Sequence, residues 1–136
     1  KVGIFGTCSG GRHAYLAACQ TAVFHSVVDC WGGRVGMRDE DLTPCQPISP
    51  LHYTENLHAP LLGLFGEEDH SPTPEQVAIH EQELKKFGKR YEFHMYSNAG
   101  HGFFYYHRPS YRQEQAVDGW NKIFIFFEKY LETTGR

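Results

Sequence analysis

The sequence predicts an α/β fold: a mostly parallel sheet of about four strands with three main helices flanking it. Three observations lead to that class. Lys1–Gln20 reads as an apolar strand, a tight glycine-flanked turn and a packed helix. Two further apolar runs, Pro60–Gly66 and Tyr91–Tyr96, each end in a loop that carries a reactive side chain, first an acid and then a histidine. The first run is apolar on both faces apart from Gly3, which suits an interior parallel strand covered by helices on either side.

The first strand spans Val2 to Phe5, and Thr7-Cys8-Ser9-Gly10-Gly11 makes the turn. A buried strand that turns sharply into a helix leaves one side chain at its apex in a strained conformation, and here that side chain is Cys8. Gly6 and Gly10 flank it at the two positions where a Cβ is expected to strike neighbouring backbone. Arg12 to Gln20 forms the helix, packed through Ala14, Leu16, Ala17 and Ala18. Its amides and positive dipole end point at the sulfur, which favours thiolate over thiol. Taken alone, Gly-x-Cys-x-Gly also fits a small buried hydrophobic cysteine.

The second strand is placed at Phe24 to Trp31. Gly32 to Ala59 is long and broken by Pro44, Pro47 and Pro50. A loop of that length either covers part of a pocket or packs on the surface through Leu51, Tyr53 and Leu57. The third strand is Leu61 to Phe65, with Glu67, Glu68 and Asp69 in its exit loop. Thr73-Pro74-Glu75-Gln76 signals a helix start with a capping box, and Gly88 ends that helix. Val77, Leu84 and Phe87 share its apolar face, with His80 half-buried between them. The fourth strand, Tyr91 to Tyr96, alternates as an edge strand would. Ser97-Asn98-Ala99-Gly100-His101-Gly102-Phe103 follows it. Ser110 to Gln113 offers a second capping box, opening a last helix to about Leu131 whose stripe is Ala116, Trp120, Ile123, Phe124, Phe127 and Leu131.

Loops at the carboxyl ends of parallel strands open on one edge of the sheet, so the order cysteine, acid, histidine can converge there. That order is the one expected of α/β-hydrolases. Gly6-Thr7-Cys8-Ser9-Gly10-Gly11, Gly66-Glu67-Glu68-Asp69 and Gly100-His101-Gly102-Phe103 together resemble the dienelactone hydrolase family, a branch with a cysteine nucleophile. The resemblance runs over nearly the whole chain and selects Asp69 from the three acids. It implies the C-terminal half of an α/β-hydrolase fold, since family members are longer and carry further strands ahead of the elbow. It also implies that a second oxyanion donor, and a glutamate that contacts the resting cysteine, come from that preceding region. The family's arginine four residues after the histidine is replaced by Tyr105, and the nearest arginine is Arg108. A less acidic ester or lactone is therefore at least as plausible a substrate as dienelactone.

At 136 residues the chain is read as one domain, 1–136, large enough to bury a core. A net charge of −3 and the lack of any Lys/Arg run argue against nucleic-acid binding. No apolar stretch approaches about 18 residues, so no membrane span is expected. Cys8, Cys19, Cys30 and Cys45 contain no C-x-x-C pair, which argues against a zinc site or dithiol motif. Core-like placement of Cys19 and Cys30 points to reduced thiols, and a cysteine nucleophile needs a reducing compartment, so the cytoplasm is expected.

The chemistry that follows is hydrolysis of a small-molecule ester or lactone without cofactor or metal. Cys8 would attack the carbonyl, His101 would shuttle the proton, and Asp69 would orient the imidazole. The Ser9 N–H would supply one oxyanion donor. The Ser9 hydroxyl is a poor nucleophile, because Thr7 stands where its elbow would need glycine. Trp31, Phe103, Tyr105 and Arg108 are candidates for substrate contact. A second reading is a non-catalytic module for interaction or oligomerisation; a third is a cysteine redox sensor or amidotransferase-like protein on a flavodoxin-like sheet. An unpartnered first strand would expose an apolar edge, so either a second copy forming a homodimer or a preceding segment is expected to cover Lys1–Gly6.

Overall fold

The computed structural model describes residues 1–132, so the last four positions of the expected 1–136 domain lie outside the described residues. Four strands, β1 (Gly3–Thr7), β2 (Ser26–Cys30), β3 (Leu61–Gly66) and β4 (Tyr91–Tyr96), form one sheet in the order β1-β2-β3-β4. Every pairing is parallel, with Ile4 opposite Val27, Val28 opposite Leu62, and Leu64 opposite His94. The helices are α1 (Ser9–Gln20), α2 (Pro74–Lys86) and α3 (Gln113–Leu131).

The two inner strands are buried along their whole length. Successive side chains of a strand point to opposite faces. On one face Val28, Cys30, Leu62 and Leu64 meet Ala116, Ile123 and Phe126 of α3. On the other, Val27 and Leu61 meet Ala14, Tyr15 and Ala18 of α1 and Leu84 of α2. The sheet is thus the middle of three layers, as parallel sheets require.

Several boundaries differ from the sequence reading, each for a local reason. α1 starts at Ser9 rather than Arg12, because Cys8 alone makes the turn at φ 58° and the helix begins on the next residue. The capping box at Thr73 and Gln76 forms in both directions, and Gly88 takes φ 63° just past the end of α2. The second box does not form: Arg112 precedes α3, and the Ser110 hydroxyl donates instead to the Gly102 carbonyl. The buried face of α3 is Ala116, Gly119, Ile123 and Phe126; Ala116 and Ile123 are the expected residues and Phe127 packs partly buried beside them, whereas Trp120 and Phe124 are not on it. It is centred on Gly119, where any Cβ would lie 2.7 Å from the Phe104 ring. Trp120 and Phe124 are consequently rotated outward. His80 is buried rather than half-buried, set edge-on against Tyr15 and Phe93.

β1 is covered on both faces, by Ile4 against the α1 side and Gly3 against Phe127 of α3. It is nevertheless an edge strand of the sheet, not an interior one. The 32–59 segment contains two 3₁₀ turns, Asp39–Asp41 and Pro50–Asn56. Leu57 is in the core, and a short hydrogen bond between Tyr15 and Thr54 fastens the segment to α1. Among the described residues no helix is long and apolar enough to cross a membrane.

Candidate active site

The exits of β1, β2 and β4 hold most of the backbone in left-handed geometry: Cys8, Trp31, Arg34, Asn98 and Gly102 all have positive φ. Such conformations cost of order 1–3 kcal/mol per non-glycine residue and persist where the surroundings over-determine them. At Cys8 the surroundings are visible. Its N–H donates to the Cys30 carbonyl at 3.0 Å, and its own carbonyl accepts from Gly11 at 3.0 Å. The sulfur is thereby held at the head of α1, in line with β1 and beside the end of β2.

The other two loops are tied to each other. Glu67 N–H donates to the Tyr96 carbonyl and Glu68 N–H to that of Ala99, both at 2.9 Å. A Cβ on Gly66 would strike the Ala99 carbonyl oxygen at 2.3 Å, so the close approach of the β3 and β4 exits depends on that glycine. The acid and the imidazole lie on this paired scaffold.

His101 Nε2 is 3.1 Å from Cys8 Sγ, and its Nδ1 is 2.9 Å from Asp69 Oδ2. The Asp69 side chain is only 2% exposed, whereas that of His101 is 39% exposed. The second carboxylate oxygen of Asp69 accepts the Ser71 N–H at 2.8 Å, which leaves the first aimed at the ring. With Nδ1–H donating to the carboxylate, Nε2 is the nitrogen available to take a proton from sulfur. The three side chains come from three different strand exits, separated by 93 and 32 residues along the chain. An open groove of about 320 Å³ runs past them, walled also by Ser9, Arg12, Gly33, Arg34, Glu68 and His70.

The substrate-contact expectations divide. Trp31 and Phe103 are fully buried, so they do not reach the groove. Trp31 packs among Phe103, Phe104 and Tyr105 with its ring centroid 6.5 Å from that of His101, which makes it support beneath the imidazole. Tyr105 is half-buried; its hydroxyl donates to Thr7 Oγ1 at 3.1 Å and braces the elbow from below. Arg108 stacks over the Tyr105 ring at 5.6 Å, outside the groove walls.

Sequence reasoning passed over Arg12 and Arg34, which stand in the groove wall. Arg12 had a signal, since it lies in the first turn of the helix that begins immediately after Cys8. Its Nη1 donates to the Gly33 carbonyl at 3.1 Å. Beneath it lies Asp29, fully buried, one oxygen accepting the Gly32 N–H at 2.8 Å. Burial pushes the Asp29 carboxyl up to about 7, against the Gly32 N–H and the Arg12 charge, which both favour ionisation. Among the described residues no group of three or more His, Cys, Asp or Glu side chains is placed to hold a metal.

The chain is similar to known proteins over nearly its whole length. The sequence model of the dienelactone hydrolase family matches residues 1–131. A Methylorubrum extorquens protein that carries the name carboxymethylenebutenolidase is 34% identical over 130 residues, 96% of this chain and 43% of its own length. An Escherichia coli K12 protein of the same name is 35% identical over 127 residues, 93% of this chain and 45% of that protein. The crystal structure of a Klebsiella pneumoniae protein, titled as a dienelactone hydrolase, superposes with a TM-score of 0.86 at 32% identity, covering 94% of this chain and 52% of that one. The chain therefore spans about half the length of the relatives it matches.

Proposed function

The chain belongs to the dienelactone hydrolase family, and from that premise we propose that it hydrolyses carboxylic esters or lactones through a thioester on Cys8. The observation that carries the proposal is the continuous hydrogen-bonded line from Cys8 Sγ through His101 to Asp69.

In this reading the Cys8 proton passes to His101 Nε2 and the sulfur attacks the carbonyl carbon of the substrate. The carbonyl oxygen becomes an oxyanion, and the Ser9 N–H, first in α1, is one of its donors. Collapse of that intermediate breaks the bond to the alcohol oxygen, which takes the proton from Nε2. Water then enters, gives a proton to the same nitrogen and attacks the thioester. The sulfur leaves as thiolate and takes the proton back from Nε2, which restores the resting pair, and the acid is released. Asp69 keeps Nδ1 protonated throughout and offsets the positive charge on the ring, and its burial keeps water from competing for that bond. Ring opening of a lactone follows the same steps, with the alcohol and acid ends of one molecule.

All four cysteines are free thiols, which supports a reducing compartment, and we place the protein in the cytoplasm. The test is turnover of an aryl ester by the native chain, Cys8→Ala and His101→Ala. We expect turnover to fall to the uncatalysed rate in both variants. Equal rates in all three proteins would overturn the hydrolase reading in favour of an interaction module.

A further inference from the structure

A second cavity, of about 370 Å³, lies between α1 and the segment from Met37 to Tyr53. Leu16, Met37, Ile48, Pro50 and Tyr53 give it an apolar lining. Arg12 stands in its wall and also in the wall of the groove at Cys8. The two spaces therefore share one wall residue.

Helix geometry orders them. Arg12, Leu16 and Gln20 recur at four-residue spacing and so follow one another along one face of α1, whose first turn begins just after Cys8. At the helical rise, Leu16 is about 12 Å beyond the thiol end of the helix. The hydrogen bond from Arg12 Nη1 to Gly33 draws the guanidinium towards the β2 exit. Its methylene stem is left to contribute to the wall that the two spaces share.

We propose that the second cavity receives an apolar arm on the acyl side of the substrate, so that the preferred esters or lactones carry an extended alkyl or aryl acyl group. The inference rests on the hydrolase reading for the identity of the reacting carbonyl. Its direction follows from the proton path. The leaving oxygen must face His101 Nε2 to be protonated, and His101 comes from the β4 exit. The acyl chain departs from the reacting carbon the other way, past Arg12 and along α1. A cavity of this volume, with apolar walls interrupted by a few polar side chains (His13, Gln20 and Gln46), has the usual form of a small-molecule site.

Cys45 is exposed and lines the cavity, which gives a readout independent of turnover. Alkylation of Cys45 by iodoacetamide, resolved from the other cysteines by peptide mass spectrometry, is followed with octanoate or acetate present. We expect octanoate to slow it several-fold and acetate to leave it unchanged. Ile48→Asp, on an exposed part of the segment, should abolish the protection. In parallel, kcat/KM for 4-nitrophenyl octanoate over 4-nitrophenyl acetate should be roughly 10–100, the gain from about two or three of the six added methylenes becoming buried at about fourfold each, and Ile48→Asp should compress that ratio. Equal Cys45 alkylation with the two acids, or a ratio near unity in an active chain, overturns the proposal. A chain that turns over no ester overturns the hydrolase reading, while the Cys45 measurement still decides the cavity.

Discussion

A methyl group on Gly6 would lie 2.0 Å from the carbonyl oxygen of Gly10, whereas one on Gly10 would meet nothing within 4 Å. The crowding at the elbow is one-sided. Gly6 is needed because the first turn of α1 folds back over it; Gly10 points away from the contact. Gly6→Ala should therefore destabilise the chain by about 1–3 kcal/mol, the usual cost of overpacking. Gly10→Ala should be neutral or stabilising by about 0.5–1 kcal/mol, because glycine is a poor helix residue. Urea unfolding midpoints of the two variants check this contrast.

Asp29 and His80 are buried titratable groups with opposite effects on stability. Burial raises Asp29 from 3.8 to about 7, so between those values the folded chain holds a proton that the unfolded chain has lost. Stability from Asp29 therefore falls as pH rises through that window. Burial lowers His80 from 6.5 to about 3, so there the unfolded chain holds the extra proton, and stability rises with pH. The two slopes oppose each other between about pH 4 and 6.5. Asp29→Asn should expose the rising slope and His80→Gln the falling one, measured by urea unfolding across that range.

Asp69 and His101 differ sharply in exposure, so the carboxylate can act on the ring without itself meeting substrate. Asp69→Asn should keep the fold but lower kcat by about 10²–10⁴-fold. KM should change far less. Steady-state kinetics on an aryl ester, with circular dichroism as the check on folding, would test this.

On the open side of β1, the Phe5 and Trp120 rings lie 5.6 Å apart, and Trp120 stacks in turn on Phe124. Phe5 is 39% exposed, Trp120 38% and Phe124 62%. An unpaired strand edge beside an aromatic patch favours association. Sedimentation velocity of the 136-residue chain should show species heavier than 15.6 kDa. The double variant Trp120→Lys, Phe124→Lys should shift them towards monomer. A native chain that stays monomeric at every concentration would contradict this.

The order of elements and the meeting of three strand exits were legible because each leaves a local signature: an apolar run, a glycine turn, one reactive side chain. The Thr73 capping box was legible for the same reason. What escaped depends on how elements rotate against each other. The buried face of α3 is set by Gly119 receiving the Phe104 ring, a contact between residues 15 apart that no periodicity encodes. Trp31 looked like a substrate contact because it ends β2. Its positive φ turns the indole into the core instead. Asp29 sits in an apolar run, and only the packed fold shows that Gly11 and Gly32 make room for its carboxyl.

In the proposed reaction Cys8 becomes the acyl carrier. Rapid acid quench after mixing with 4-nitrophenyl acetate, followed by peptide mass spectrometry, tests it most directly. One acetyl group is expected on Cys8 in the native chain and none in Cys8→Ala. Release of nitrophenol at the native rate by Cys8→Ala, or acetyl groups only on residues other than Cys8, would contradict it.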